Sequence, residues 1–132
     1  MIGLLVITHG ELGGELIKAA EFILGRSEQI TSLSVMSQTE PDQLSRQIQQ
    51  AIHEVGGPEG VLVLTDMFGG TPNNISLTLW EEGKVEVVTG VNLPMVIKAL
   101  TSRDKLSLTE LASQVCSAGR EAISVAGELL AS

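Results

Sequence analysis

The chain opens with Ile2–Gly3–Leu4–Leu5–Val6–Ile7–Thr8, followed at once by His9–Gly10. A second run, Val61–Leu62–Val63–Leu64–Thr65, ends in Asp66 and leads into Met67–Phe68–Gly69–Gly70–Thr71–Pro72–Asn73–Asn74. Both runs are short and continuously apolar, the character of strands covered on both faces of a parallel sheet. Each ends in a side chain that can do chemistry, and a glycine-bearing stretch follows.

Around these two runs, strands and helices alternate. A helix of about residues 11–25 follows the first strand, with Leu12, Leu16, Ala19, Ala20, Ile23 and Leu24 on one stripe and Gly25 as its stop. Gly13 and Gly14 weaken its first turn by about 1 kcal/mol each relative to alanine. Either that turn frays, or its backbone must come close to something. Residues 30–35 alternate polar and apolar, as a half-buried strand does. Thr39 or Glu40 then caps a helix with Pro41 at its start, striped by Leu44, Ile48, Ala51, Ile52 and Val55 and ended by Gly56–Gly57–Pro58.

After Asp66, Thr71 caps a helix with Pro72 at its first position, and Gly83 closes it. Residues 84–89 form a fourth strand. Gly90–Val91–Asn92–Leu93–Pro94 leads into a helix of about 94–102. A last helix is predicted over about 108–130, striped by Leu108, Leu111, Ala112, Val115, Ala118, Ala122, Ile123, Ala126 and Leu129.

This alternation implies right-handed crossovers. The expected fold is α/β and doubly wound, with a mainly parallel sheet and helices on both faces. The first and third strands read as central, while the second and fourth alternate and read as edges. The simplest strand order is 2-1-3-4. Its switch point lies between strands one and three, and ligands in such sheets bind outside the carboxyl ends at that crevice. His9 and Asp66 end those two strands.

Composition narrows the function. A length of 132 residues suits one domain with a real core, needing neither metal nor disulfide to fold. Two Phe, one Trp and no Tyr leave no base-stacking surface, and the formal charge of −8 repels polyphosphate backbones. No nucleic-acid partner is expected. Cys116 is the single cysteine, which excludes an intrachain disulfide and a cysteine-based zinc site. The start lacks a basic n-region, and its apolar run is too short to span a bilayer. A reduced, cytoplasmic protein without cofactor or metal is expected.

The chemistry follows from the strand ends. A neutral imidazole attacks through one nitrogen while the other carries a proton, and a carboxylate on the protonated nitrogen sets the tautomer and stabilises the positive ring that develops. Asp66 can do this for His9. A phosphoryl group on His9 needs donors for its oxygens; Gly69, Gly70 and Thr71 can offer backbone N–H groups at the start of a helix. Each feature alone is common. Their joint placement at one switch point carries the reading.

On these residues the chain resembles the IIA components of the mannose family of the bacterial phosphoenolpyruvate-dependent sugar phosphotransferase system. The resemblance covers nearly the whole chain. It rests on Thr8–His9–Gly10, on the run Asp66 to Asn74, and on Gly90–Val91–Asn92–Leu93–Pro94–Met95, with Gly119–Arg120–Glu121 near the end. It implies a single IIA domain over residues 1–132, in which His9 accepts a phosphoryl group from the phosphocarrier HPr and passes it to a IIB component. It implies that Asp66 hydrogen-bonds the His9 ring and that Gly69, Gly70 and Thr71 hold the phosphoryl oxygens. Gly10, Met67, Phe68 and Asn92 are read as the pocket and partner rim; plain core is the other reading of Met67 and Phe68, and a cap on the helix near Pro94 is compatible with the place of Asn92 in the pocket. A homodimer, often with a C-terminal strand exchanged, and indirect membrane association through the permease complex are also implied. No strand of that kind is legible before Ser132, and no IIB domain follows in the sequence, so action on a separate partner, or a role in regulation alone, is expected.

Other readings are weaker. A phosphorylation-dependent regulator or adaptor without a transport role is the alternative, suggested by a domain with no permease modules. A metal chelatase or metallohydrolase would need three or more ligands, and only His9 and Asp66 are placed for that. A response-regulator receiver would need acidic residues where Thr8 and His9 stand. His53 reads as a solvent-facing residue in mid-helix. Cys116 reads as a small, partly buried side chain with no basic neighbour to activate it.

Overall fold

The computed structural model describes residues 1–67 and 78–131. β1 (Gly3–His9) pairs in parallel with β2 (Ile30–Val35) on one side and β3 (Val61–Thr65) on the other, and β4 (Val85–Thr89) pairs in parallel with β3. The order β2-β1-β3-β4 is the expected 2-1-3-4. Burial follows the sequence pattern. Every residue of β3 and Gly3–Thr8 of β1 are buried, β2 is half-buried throughout, and β4 buries only Val85.

Alternate side chains of the central strands enter two cores, as the two-residue period of a strand requires. Leu4, Val6, Leu62 and Leu64 meet Ala20 of α1 (Leu12–Leu24), Met95, Val96 and Ala99 of α3 (Leu93–Ser102), and Leu111 and Val115 of α4 (Leu108–Glu121). Leu5, Ile7, Val61 and Val63 meet Leu44, Ile48, Ala51 and Val55 of α2 (Pro41–Val55) on the other face. The helices therefore cover both faces.

Two helix predictions need correction. The last helix does not run unbroken to residue 130. α4 ends at Glu121, and a separate six-residue helix, α5 (Ala126–Ala131), follows with no buried residue. Ala122 and Ala126 are exposed, as are Ile123 (77%) and Leu129 (62%). The 14 residues of α4 span about 21 Å at 1.5 Å each, about the length of the strands below. Residues 122–131 are all exposed, so the apolar side chains further along add nothing to the core. The stripe of α1 is also narrower than its sequence suggests. Burial centres on Gly13, Leu16, Ile17 and Ala20, while Leu12, Ile23 and Leu24 are exposed.

Arg103, at the end of α3, is a buried cation that the sequence reading did not single out. Its guanidinium donates to the carbonyls of Glu28 (2.6 Å), Gln29 (3.2 Å) and Ile2 (3.4 Å), joining the entries of β1 and β2. It braces the N-terminal edge of the sheet, opposite the His9 end.

Candidate functional site

β1 carries the chain from full burial at Thr8 to an exposed His9 in one step. Gly10 then turns it with φ +57°, a conformation that costs a glycine little, and its N–H donates to the Val35 carbonyl at 3.0 Å. Helix α1 begins two residues later. Glu11 stands at its N-cap position without making a side-chain cap. The Thr8 hydroxyl takes that part, accepting the Gly13 N–H at 2.7 Å. A Cβ on Gly13 would lie 3.1 Å from Thr8 Oγ1 and 3.2 Å from the Val6 carbonyl. The close approach anticipated at this glycine is therefore made by strand β1 itself.

Asp66 follows directly on β3. Its side chain is 12% exposed, against 50% for His9. Asp66 Oδ2 accepts the His9 backbone N–H at 3.0 Å and faces His9 Nδ1 at 3.0 Å, with Oδ1 3.3 Å from the same nitrogen. Burial alone would raise the Asp66 pKa. The His9 backbone N–H, the His9 ring, its charge when protonated and the Asp66 amide together outweigh it, and the carboxyl sits below its ordinary value. An ionised carboxylate can only accept, so Nδ1 carries the proton and a neutral ring leaves Nε2 with its lone pair. Among the described residues no hydrogen bond engages Nε2.

The structure thus brings His9, Gly10 and Asp66 together at the switch point, with Met67 exposed beside them. Phe68, Gly69, Gly70 and Thr71, and the helix start expected at Thr71–Pro72, lie outside the described residues. Asn92 caps α3, accepting the Met95 N–H at 3.1 Å, and donates to the Gly119 carbonyl at 3.2 Å. It lines a concavity of about 450 Å³ with Thr89, Met95, Cys116 and Arg120, and neither His9 nor Asp66 lines that space. Asn92 is thus a helix cap, and none of its hydrogen bonds reaches the His9–Asp66 pair. Thr8 is the residue to which sequence reading gave no role. The signal for it was a hydroxyl next to the histidine with a glycine five positions on.

Residues 3–116 match the family described as the PTS system fructose IIA component, PTS being the phosphotransferase system. The chain belongs to this mannose-type IIA family. This IIA chain is 31% identical over 124 residues to the mannose-specific EIIAB component of Escherichia coli K12, an alignment that takes in 92% of the chain and 38% of that relative. It therefore spans well under half the length of that protein. It is 26% identical to the fructose-specific EIIA component of Bacillus subtilis, with 98% and 90% of the two chains covered. The crystal structure of a phosphotransferase system component EIIA from Streptococcus agalactiae superposes with a TM-score of 0.88 at 26% identity, covering 97% of the IIA chain and 99% of the other. Among the described residues, no helix of the IIA chain is long and apolar enough to cross a membrane.

Proposed function

We propose that this chain is a phosphoryl carrier, in which His9 Nε2 accepts a phosphoryl group from phospho-HPr and hands it to a IIB component for sugar uptake or its regulation. The observation that carries the reading is the His9–Asp66 pair. The partly buried carboxylate holds Nδ1–H at the carboxyl edge of the sheet, and among the described residues no hydrogen bond engages Nε2. Membership of the IIA family supports the reaction class.

In the step, the Nε2 lone pair forms a bond to phosphorus while the bond from phosphorus to the donor breaks, its electron pair leaving with the donor. No proton has to be removed from His9. The ring gains positive character as the bond forms, and Asp66 stabilises it across the Nδ1–H hydrogen bond. Such transfers depend mainly on positioning and charge stabilisation. The amides of Gly69, Gly70 and Thr71 are assigned to the phosphoryl oxygens, and Gly10, Met67 and Phe68 to the partner-facing rim. Onward transfer to IIB runs the same exchange in the other direction. A homodimer that meets the membrane only through its permease partners completes the reading.

The test is incubation with phosphoenolpyruvate, the first enzyme of the system and HPr. The chain should gain one acid-labile, base-stable phosphate, and His9→Ala should gain none. Acid-labile label retained by His9→Ala would overturn the assignment.

A further inference from the structure

We infer that Thr8 is a positioning residue for His9: its hydroxyl, buried at the end of β1, seats the first turn of α1 and thereby fixes the turn from which the His9 ring reaches Asp66. The inference rests on the reading of His9 as phosphoryl acceptor.

Thr8 and His9 point to opposite sides of the strand, as neighbours in a strand must. Thr8 is fully buried, so its oxygen needs a partner inside the protein. That partner is the Gly13 N–H at 2.7 Å, one of the amides that the start of a helix leaves without an intrahelical acceptor. The N-cap residue ordinarily supplies such an acceptor. Here Glu11 does not, and the bond comes from the strand instead, five residues back. It closes a loop that contains His9 and Gly10.

Three hydrogen bonds donated by backbone N–H groups of this loop bear on its position. The His9 N–H is bound to Asp66 beyond β3, the Gly10 N–H to Val35 on β2, and the Gly13 N–H to Thr8. The first two tie the turn to the neighbouring strands. The third ties the first turn of α1 back to the strand, beside the bond from the Glu15 N–H to the Glu11 carbonyl at 3.2 Å. The glycine at position 13 belongs to the same device, since any Cβ there would crowd the Thr8 oxygen and the Val6 carbonyl. With the third bond gone, the helix start can lift, and the bearing of the His9 backbone on Asp66 changes with it.

The test compares Thr8→Val, which keeps the branched shape and loses the acceptor, with Thr8→Ser, which keeps the acceptor. Two readouts are taken: single-turnover transfer from phospho-HPr, and the His9 ring tautomer from nitrogen-15 NMR of the unphosphorylated chain. Thr8→Val should lower the Nδ1–H tautomer fraction and slow transfer by about 10²-fold, the scale of a 1 Å misplacement, with HPr affinity unchanged. Thr8→Ser should restore both. Wild-type transfer by Thr8→Val, slowed transfer with an unmoved tautomer, or failure of serine to rescue would each overturn the inference. If Thr8→Val does not fold, Gly13→Ala crowds the same bond from the helix side while favouring the helix, and wild-type rate and tautomer there would be equally fatal. Should the wild-type chain itself take no phosphate, the reading of His9 falls, whereas the tautomer readout still decides on Thr8.

Discussion

One carboxylate oxygen does two jobs at this site. Asp66 Oδ2 holds both the backbone N–H and the ring Nδ1 of His9, each at 3.0 Å. The backbone bond keeps the carboxylate in place whatever the ring does, so the ring finds its acceptor already oriented. Asp66→Ala removes both bonds and leaves Nε2, the proposed phosphoryl acceptor. Transfer from phospho-HPr should then slow by about 10²–10⁴-fold, with residual label still on His9. Single-turnover labelling measures it, and complete loss of label in a folded variant would assign Asp66 a larger part than orientation. The ring bond was legible in the sequence, because each residue ends a continuously apolar run. The bond to the His9 backbone was not, since no pattern of residue types encodes the direction of an N–H at a strand end.

At the scale of elements, the helices show where periodicity informs and where it misleads. α2 lies where its stripe and Pro41 place it. α4 obeys its stripe only as far as the sheet extends. It starts with a capping box, Ser107 and Glu110 each accepting the other's backbone N–H. Near its end Gly119 lies against α3, and a Cβ there would fall 2.6 Å from both Cγ and Sδ of Met95. Gly119→Ala gains about 1 kcal/mol of helix propensity and incurs about 1–3 kcal/mol of overpacking. The expected net is a loss of about 1 kcal/mol, read from urea unfolding. In a Met95→Ala background the obstruction is gone, and the same substitution should be neutral or stabilising. Equal effects in both backgrounds would mean that Met95 is not what Gly119 makes room for.

For the whole molecule, two carboxyl groups at opposite places in the fold link stability to acid. Asp66 is held below its ordinary pKa, with burial opposing and the His9 hydrogen bonds and charge prevailing, and Glu110 is held below by its bonds to the Ser107 backbone and side chain. Both bind a proton more weakly folded than unfolded, so unfolding takes up protons. Their contribution is complete above the ordinary carboxylate range near pH 4 and disappears as pH falls through the lowered folded values. Urea midpoints should therefore decline below about pH 4, and the decline should be shallower in Asp66→Asn and in Glu110→Gln. An unchanged slope in both variants would remove these groups from the acid response. The sequence by itself determined the layer architecture, the strand order and the identity of the two residues that meet at the switch point. Run length, period and the residue at each strand end are local properties, and the sheet converts them into position. Tertiary structure alone decided that Thr8 caps α1, that Arg103 ties together three carbonyls from the entries of β1 and β2, and that the last helix stops at Glu121. Each of these depends on which backbone groups lack a partner and on where the sheet ends, and both arise only when distant segments come together.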